Sequence, residues 1–237
     1  MLGSSSGTST SRKPSVADVV RSVALVLAAL AAILFVSAGR VDWIEAWRFI
    51  AAYGAFVLAY GVWGLRTDPG QIEERWDSGA HVKAWDKVIM RVYTGVLLVM
   101  LVLAGLDAGR FQWAPAPAWL QALGWIAAAL GGAMIAWAAQ ANTFLARYVR
   151  VQEDRGQVAV TTGPYRYVRH PMYVGIIAFM LSIPLVLGSL WALVPAACIA
   201  ALFVLRTALE DRTLQAELPG YAEYAQRTRY RLLPGVW

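Results

Sequence analysis

Long apolar runs alternate with short polar ones along this chain. Six of the runs have the length of a membrane crossing: residues of about 16–38, 43–65, 88–106, 119–141, 171–188 and 190–209. A helix needs roughly 20 mostly apolar residues to cross a hydrocarbon layer about 30 Å thick. The period-two alternation of a barrel strand is absent. The pattern therefore predicts an all-α integral membrane protein with about six transmembrane helices, cytosolic loops and a C-terminal cytosolic helical tail. Only "GSL" at 188–190 joins the fifth and sixth runs. A minimal turn between runs of nearly equal length predicts a tight hairpin, with residues 170–173 and 207–211 side by side at its far end.

The polar stretches are unequal. "RTDPGQIEERWDSGAHVKAWDK" (66–87) reads as a short amphipathic helix opened by Asp68-Pro69, then a Gly-containing turn. Residues 142–173 form the longest polar connection. Residues 210–237 extend the last helix, break at Pro219-Gly220, and add a second short helix and a tail. The Ser/Gly/Thr-rich segment 1–15 is expected to be disordered. Residues 16–237 form one membrane-embedded domain whose first helix is retained, although a signal peptide has a similar beginning.

Composition agrees: 59% of the 237 residues are hydrophobic and 15% charged, against about 25% charged in soluble domains. The net charge of +6 could indicate nucleic acid. Topology explains it instead. With a cytosolic N-terminus, only Arg40, Arg48 and Arg110 fall outside, and the other 18 of 21 cations lie on inner segments. This predicts cytosolic termini, a bacterial inner membrane, the bilayer as a partner and no nucleic acid. Oligomeric state is not specified by the pattern. The single cysteine, Cys198, excludes an intrachain disulfide. His81 and His170 are far apart, and no metal-ligand spacing appears, so no metal is expected.

The candidate chemistry lies in "GPYRYVRHPMYVG" (163–175). Gly163 fixes a turn. Pro171 suits the first turn of a helix, leaving the N–H groups of Met172, Tyr173 and Val174 as an anion seat. Arg169 and His170 precede it, and Tyr165, Tyr167 and Tyr173 offer flat faces. The hairpin brings up Glu210 and Asp211. Tyr221 and Tyr224 share a helix face. Asn142, Arg150 and Gln152 add polar reach from "NTFLARYVRVQ". Each group has a plainer alternative: an Arg/Tyr interface anchor, an Arg206–Glu210 helix pair, or a basic tail on anionic lipid.

These residues carry a resemblance. "GPYRYVRHPMYVG", one hairpin, then "EDRTLQAELPGYAEYAQRTRYRLLPG" resembles the isoprenylcysteine carboxyl methyltransferase family, and more loosely the phospholipid N-methyltransferases, over roughly residues 60–237. The resemblance implies S-adenosylmethionine as methyl donor, bound at the cytosolic face mainly by residues 142–237, and a lipid-like or prenylated acceptor methylated on a carboxylate. His170, Pro171, Met172, Tyr173, Glu210, Asp211, Tyr165, Tyr221, Tyr224, Gln152 and Gly163 are expected to hold the donor. Arg169, Arg150 and Asn142 are expected to serve the acceptor. Asp211 stands where eukaryotic members more usually have Glu. Two other readings stay open: an NADPH-dependent reductase of the sterol-reductase type, using Arg147, Arg150 and Arg155, and a non-enzymatic scaffold or transporter.

Overall fold

The computed structural model describes residues 15–76 and 82–237, with the side chains of Arg75 and Trp76 excepted. Most of the expected disordered segment, the Gly-containing turn and His81 lie outside the described residues.

The described chain is a helical bundle, and the protein is an all-α integral membrane protein. Its helices are α1 (Val16–Ala38), α2 (Ile44–Thr67), α3 (Pro69–Trp76), α4 (Ala84–Ala104), α5 (Ala118–Ala141), α6 (Pro171–Leu187), α7 (Leu193–Glu217) and α8 (Tyr221–Arg227). Five stretches are long and apolar enough to cross a membrane: α1, α2, α4 with its continuation to Phe111, α5 and α7. The sixth expected crossing, α6, has 17 residues.

Local chemistry explains the ends. Ser15 and Asp18 form a reciprocal cap on α1: the Asp18 N–H donates to Ser15 Oγ (3.3 Å), and the Ser15 N–H donates to Asp18 Oδ2 (2.9 Å). Pro171 opens α6, where a missing N–H costs nothing. Gly188, at φ +82°, closes α6 in the left-handed conformation that favours glycine.

The α6–α7 hairpin is pinned from outside itself. Past Ala104, the α4 backbone continues as a π-helical turn, Gly105–Phe111. This turn places the fully buried Asp107 beneath the hairpin. Its carboxylate accepts from the Ser189 hydroxyl (2.6 Å) and the Ala114 N–H (2.8 Å). Because residues 188–192 complete the turn, α7 starts at Leu193 rather than 190.

The helices α5 and α6 cross in backbone contact. A Cβ on Gly131 would lie 2.8 Å from the Gly175 carbonyl oxygen, and one on Gly175 would lie 2.7 Å from that of Gly131. Small residues permit this approach in a bundle that has no hydrophobic drive between helices within lipid. The close approach allowed by Gly175 is therefore to a helix. At the arginine-rich end, the short α3 tucks under α5. Gln71 is fully buried, and its Nε2 donates to the carbonyls of Ala139 (3.0 Å) and Asn142 (2.8 Å), capping a helix that ends without a glycine.

Candidate functional site

The turn at Gly188 does bring the far ends of α6 and α7 together. Arg169, just before α6, meets Asp211 of α7 through Nε (2.7 Å) and Nη2 (2.8 Å). One turn further in, the Tyr173 hydroxyl donates to Glu210. A cavity of about 400 Å³ opens beside these pairs, within the size range of small-molecule sites. Its walls include Tyr165, His170, Met172, Tyr173, Glu210, Tyr221 and Tyr224, and every residue from Phe144 to Arg150. An apolar arm runs inward among Met90, Tyr93, Ile176, Met180 and Phe203.

The two acids of the expected pair have different surroundings. Glu210 lines the cavity, and the Tyr173 hydroxyl is its one hydrogen-bond donor among the described residues. Asp211 is fully buried and absent from the wall. It accepts from Arg169, from Arg231 (2.8 Å), from the Tyr221 hydroxyl (3.1 Å) and from Gln215 Nε2 (2.8 Å). His170 Nε2 lies 3.3 Å from it. The sequence pattern set Asp211 against the donor, whereas the structure makes it the hub that ties α6, α7, α8 and the tail together. The reason is i,i+1 spacing, which sends neighbouring side chains to different faces of α7.

The amide row at the start of α6 is also corrected. The N–H groups of Tyr173 (3.1 Å) and Val174 (3.3 Å) both donate to the His170 carbonyl, leaving Met172 as the one of the three without a backbone acceptor among the described residues. The tail lies across this helix start. The N–H groups of Arg169 and His170 donate to the carbonyls of Tyr230 and Arg231, each at 2.9 Å.

Neither arginine expected to serve the acceptor is free. Besides gripping Asp211, Arg169 donates through Nη1 to the carbonyls of Thr228 and Arg229, both at 2.8 Å. Burial works against its charge, but the Asp211 hydrogen bonds and charge outweigh that and raise its pKa. Arg150 is held by Glu74 and Asp154, and its pKa is raised chiefly by the Glu74 hydrogen bond. Asn142 lines the cavity and donates to the Tyr165 hydroxyl (3.2 Å). Gln152 is buried away from the wall, bonding the Phe144 carbonyl (2.6 Å). Gly163 and Pro171 shape the backbone and do not line the cavity.

Sequence reasoning missed Arg206. It sits one turn before Glu210 on α7, 5% exposed, and lines the cavity. Asp86 of α4, fully buried, grips its Nε (2.8 Å) and Nη2 (3.1 Å), and the Arg147 carbonyl accepts from Nη2 (3.0 Å). Nη1 has no acceptor among the described residues. No buried side-chain nitrogen or oxygen among them lacks a partner, so Nη1 is not fully enclosed, and its residue lines the cavity. The i,i+4 spacing of Arg206 and Glu210 suggested a helix pair; the signal that pointed elsewhere was Asp86, a carboxylate in the first turn of a largely apolar helix.

Three tyrosines of the wall, Tyr165, Tyr221 and Tyr224, stay neutral. Burial raises the phenol pKa of Tyr165 and Tyr221, and that of Tyr224 to about 12. They offer aromatic faces and hydrogen bonds rather than bases. The Tyr224 hydroxyl donates to the Tyr165 carbonyl (2.6 Å), locking α8 onto the loop before α6.

Comparison with known proteins adds a family. The cobalt-zinc-cadmium resistance protein CzcN of Cupriavidus metallidurans is 32% identical over 151 residues, covering 62% of this chain and 66% of that protein. Residues 119–218 match the family model described as phospholipid methyltransferase, a stretch holding α5, α6, α7 and most of the cavity wall. Over residues 119–218 the chain is similar to the phospholipid methyltransferase family.

Proposed function

We propose that this protein is a membrane-embedded methyltransferase that uses S-adenosylmethionine and acts on the anionic head of a lipid-like acceptor, on a carboxylate. The observation that carries this reading is the pair of charged groups left for a ligand in one 400 Å³ cavity: the lightly bonded Glu210 carboxylate and the Arg206 Nη1. The carboxylate suits a cationic donor and the guanidinium, one turn away on α7, an anion.

S-adenosylmethionine supplies an electrophilic methyl group. The residues present fit it. Glu210 would take its ammonium or ribose hydroxyls, the faces of Tyr165, Tyr221 and Tyr224 its adenine, and the Met172 N–H with His170 its carboxylate. Displacement by a carboxylate forms an O–C bond as the S–C bond breaks and needs no base, so neutral tyrosines suffice. The protein contributes alignment and a dry site, which can supply roughly 7–11 kcal/mol. Arg206 takes the orienting role that the sequence pattern gave to Arg169 or Arg150. Gripped by Asp86, it presents one face without reorganising. The apolar arm beyond it, from Met90 to Phe203, suits an acceptor tail.

The reductase reading needs loose cations for a 2′-phosphate. Arg150 is committed to Glu74 and Asp154, and Arg155 to Gln152 Oε1 (2.7 Å) and the Thr143 carbonyl (3.3 Å). Calorimetry on the purified protein separates the two: heat with S-adenosylhomocysteine and none with NADPH is expected, and the reverse overturns the proposal.

A further inference from the structure

Residues 143–150 form the roof of the cavity, and charged side chains from other elements hold that roof in place. Phe144 to Arg150 all line the cavity. None of them belongs to a helix or strand. A segment without its own backbone ladder stays where its side-chain partners put it.

Near its start the segment is held locally, by Gln152 on the Phe144 carbonyl, Arg155 on the Thr143 carbonyl and Asn142 Oδ1 on the Phe144 N–H; its partners on other elements sit at two places. At the inner one, Asp86 accepts from the Val149 N–H (2.7 Å), and Arg206 donates to the Arg147 carbonyl. The Lys83 N–H also donates to the Val149 carbonyl (3.2 Å). At the outer one, Glu74 of α3 grips Arg150 with two oxygens, on Nε (2.8 Å) and Nη2 (2.7 Å). Both side chains are 11% exposed. Asp154 adds a solvent-facing contact of 2.9 Å to Nη1.

The helix that carries Glu74 is itself firmly seated. Gln71, one turn before Glu74, is the buried cap on α5 and also accepts from the Tyr60 hydroxyl (3.2 Å). It bonds the carbonyl of Asn142, the residue from which the roof departs. So α3 holds the root of the roof with one side chain and its far edge with another.

We propose that Glu74 is a positioning residue that acts through Arg150, latching the 143–150 roof over the cavity and setting how fast the methyl donor enters and leaves. A water-soluble donor bound in the cavity would lie against seven consecutive residues of this segment. Asp86 and Arg206 are buried and fixed, so they act as the hinge side. Arg150 is the outer catch, because its pair is the one nearest solvent. The identity of what passes the roof rests on the methyltransferase reading; the latch itself does not.

Hydrogen exchange on the ligand-free protein tests the latch, and stopped-flow fluorescence with S-adenosylhomocysteine tests the gate. In Glu74→Gln, the Phe144 and Val149 amides, the two of the roof that donate hydrogen bonds among the described residues, should exchange about fivefold faster or more. S-adenosylhomocysteine should associate and dissociate faster by a similar factor, with Kd moving less than either rate. Glu74→Asp should restore both, which a merely structural lesion at α3 would not do. Unchanged exchange at these two amides in Glu74→Gln overturns the latch. Faster exchange with unchanged ligand rates overturns the gate. A parent protein that fails to bind S-adenosylhomocysteine strikes the functional reading instead, and exchange alone then decides the latch.

Discussion

Glu210 and Asp211 are adjacent in sequence and should behave oppositely when mutated. Glu210→Gln removes a carboxylate that the fold uses once. It should weaken S-adenosylhomocysteine binding by roughly 10- to 100-fold, the worth of a charge-assisted hydrogen bond, and leave thermal stability nearly unchanged. Asp211→Asn strips the partner of two arginines and should destabilise the protein by about 3–5 kcal/mol, read as a lower Tm in detergent. Arg206→Lys keeps the charge but loses the two-pronged grip on Asp86. Its KM for an anionic acceptor should rise while donor affinity holds, as separate titrations of the two ligands would show. The sequence made His170, Tyr173 and Glu210 legible because the hairpin fixes which ends meet. It hid the inward turn of Asp211 and the free edge of Arg206, since both depend on partners 42 and 120 positions away.

At the scale of elements, hydropathy was a good guide and polarity a poor one. Apolar length sets the helices, so each of the six expected crossings is a helix, although α6, at 17 residues, is shorter than the five long enough to cross. The π-helical extension of α4 could not be read, because it exists to place Asp107 under the α6–α7 turn. Nor could the α5–α6 contact, which needs two glycines 44 residues apart to face each other. Gly131→Ala or Gly175→Ala should cost about 1–3 kcal/mol, the usual range for overpacking. Gly95→Ala, whose new methyl would meet nothing within 4 Å, should be neutral or stabilising; the three Tm values compared side by side check this. The tail, for which a basic segment on lipid was the plainer reading, instead crosses the start of α6 and accepts from the Arg169 and His170 amides.

For the whole molecule, the placement of arginines implies an orientation. The cavity opens at the end that carries α3, the 142–170 connection and α8, and that end bears most of the cations. We expect it to face the cytosol. A cysteine placed at Arg212 in a Cys198→Ala background should resist a membrane-impermeant maleimide in intact cells and react after lysis; one placed at Arg40 should react in both. A donor made in the cytosol could then reach the roof directly, while a lipid-like acceptor meets the apolar arm from within the bundle.

Isothermal calorimetry of S-adenosylhomocysteine on the purified protein, repeated with Glu210→Gln, tests the central claim most directly. The account predicts one site per chain in the parent and a large loss of affinity in the variant, with both proteins equally folded. No heat from a folded parent, or equal affinity in parent and variant, would contradict it.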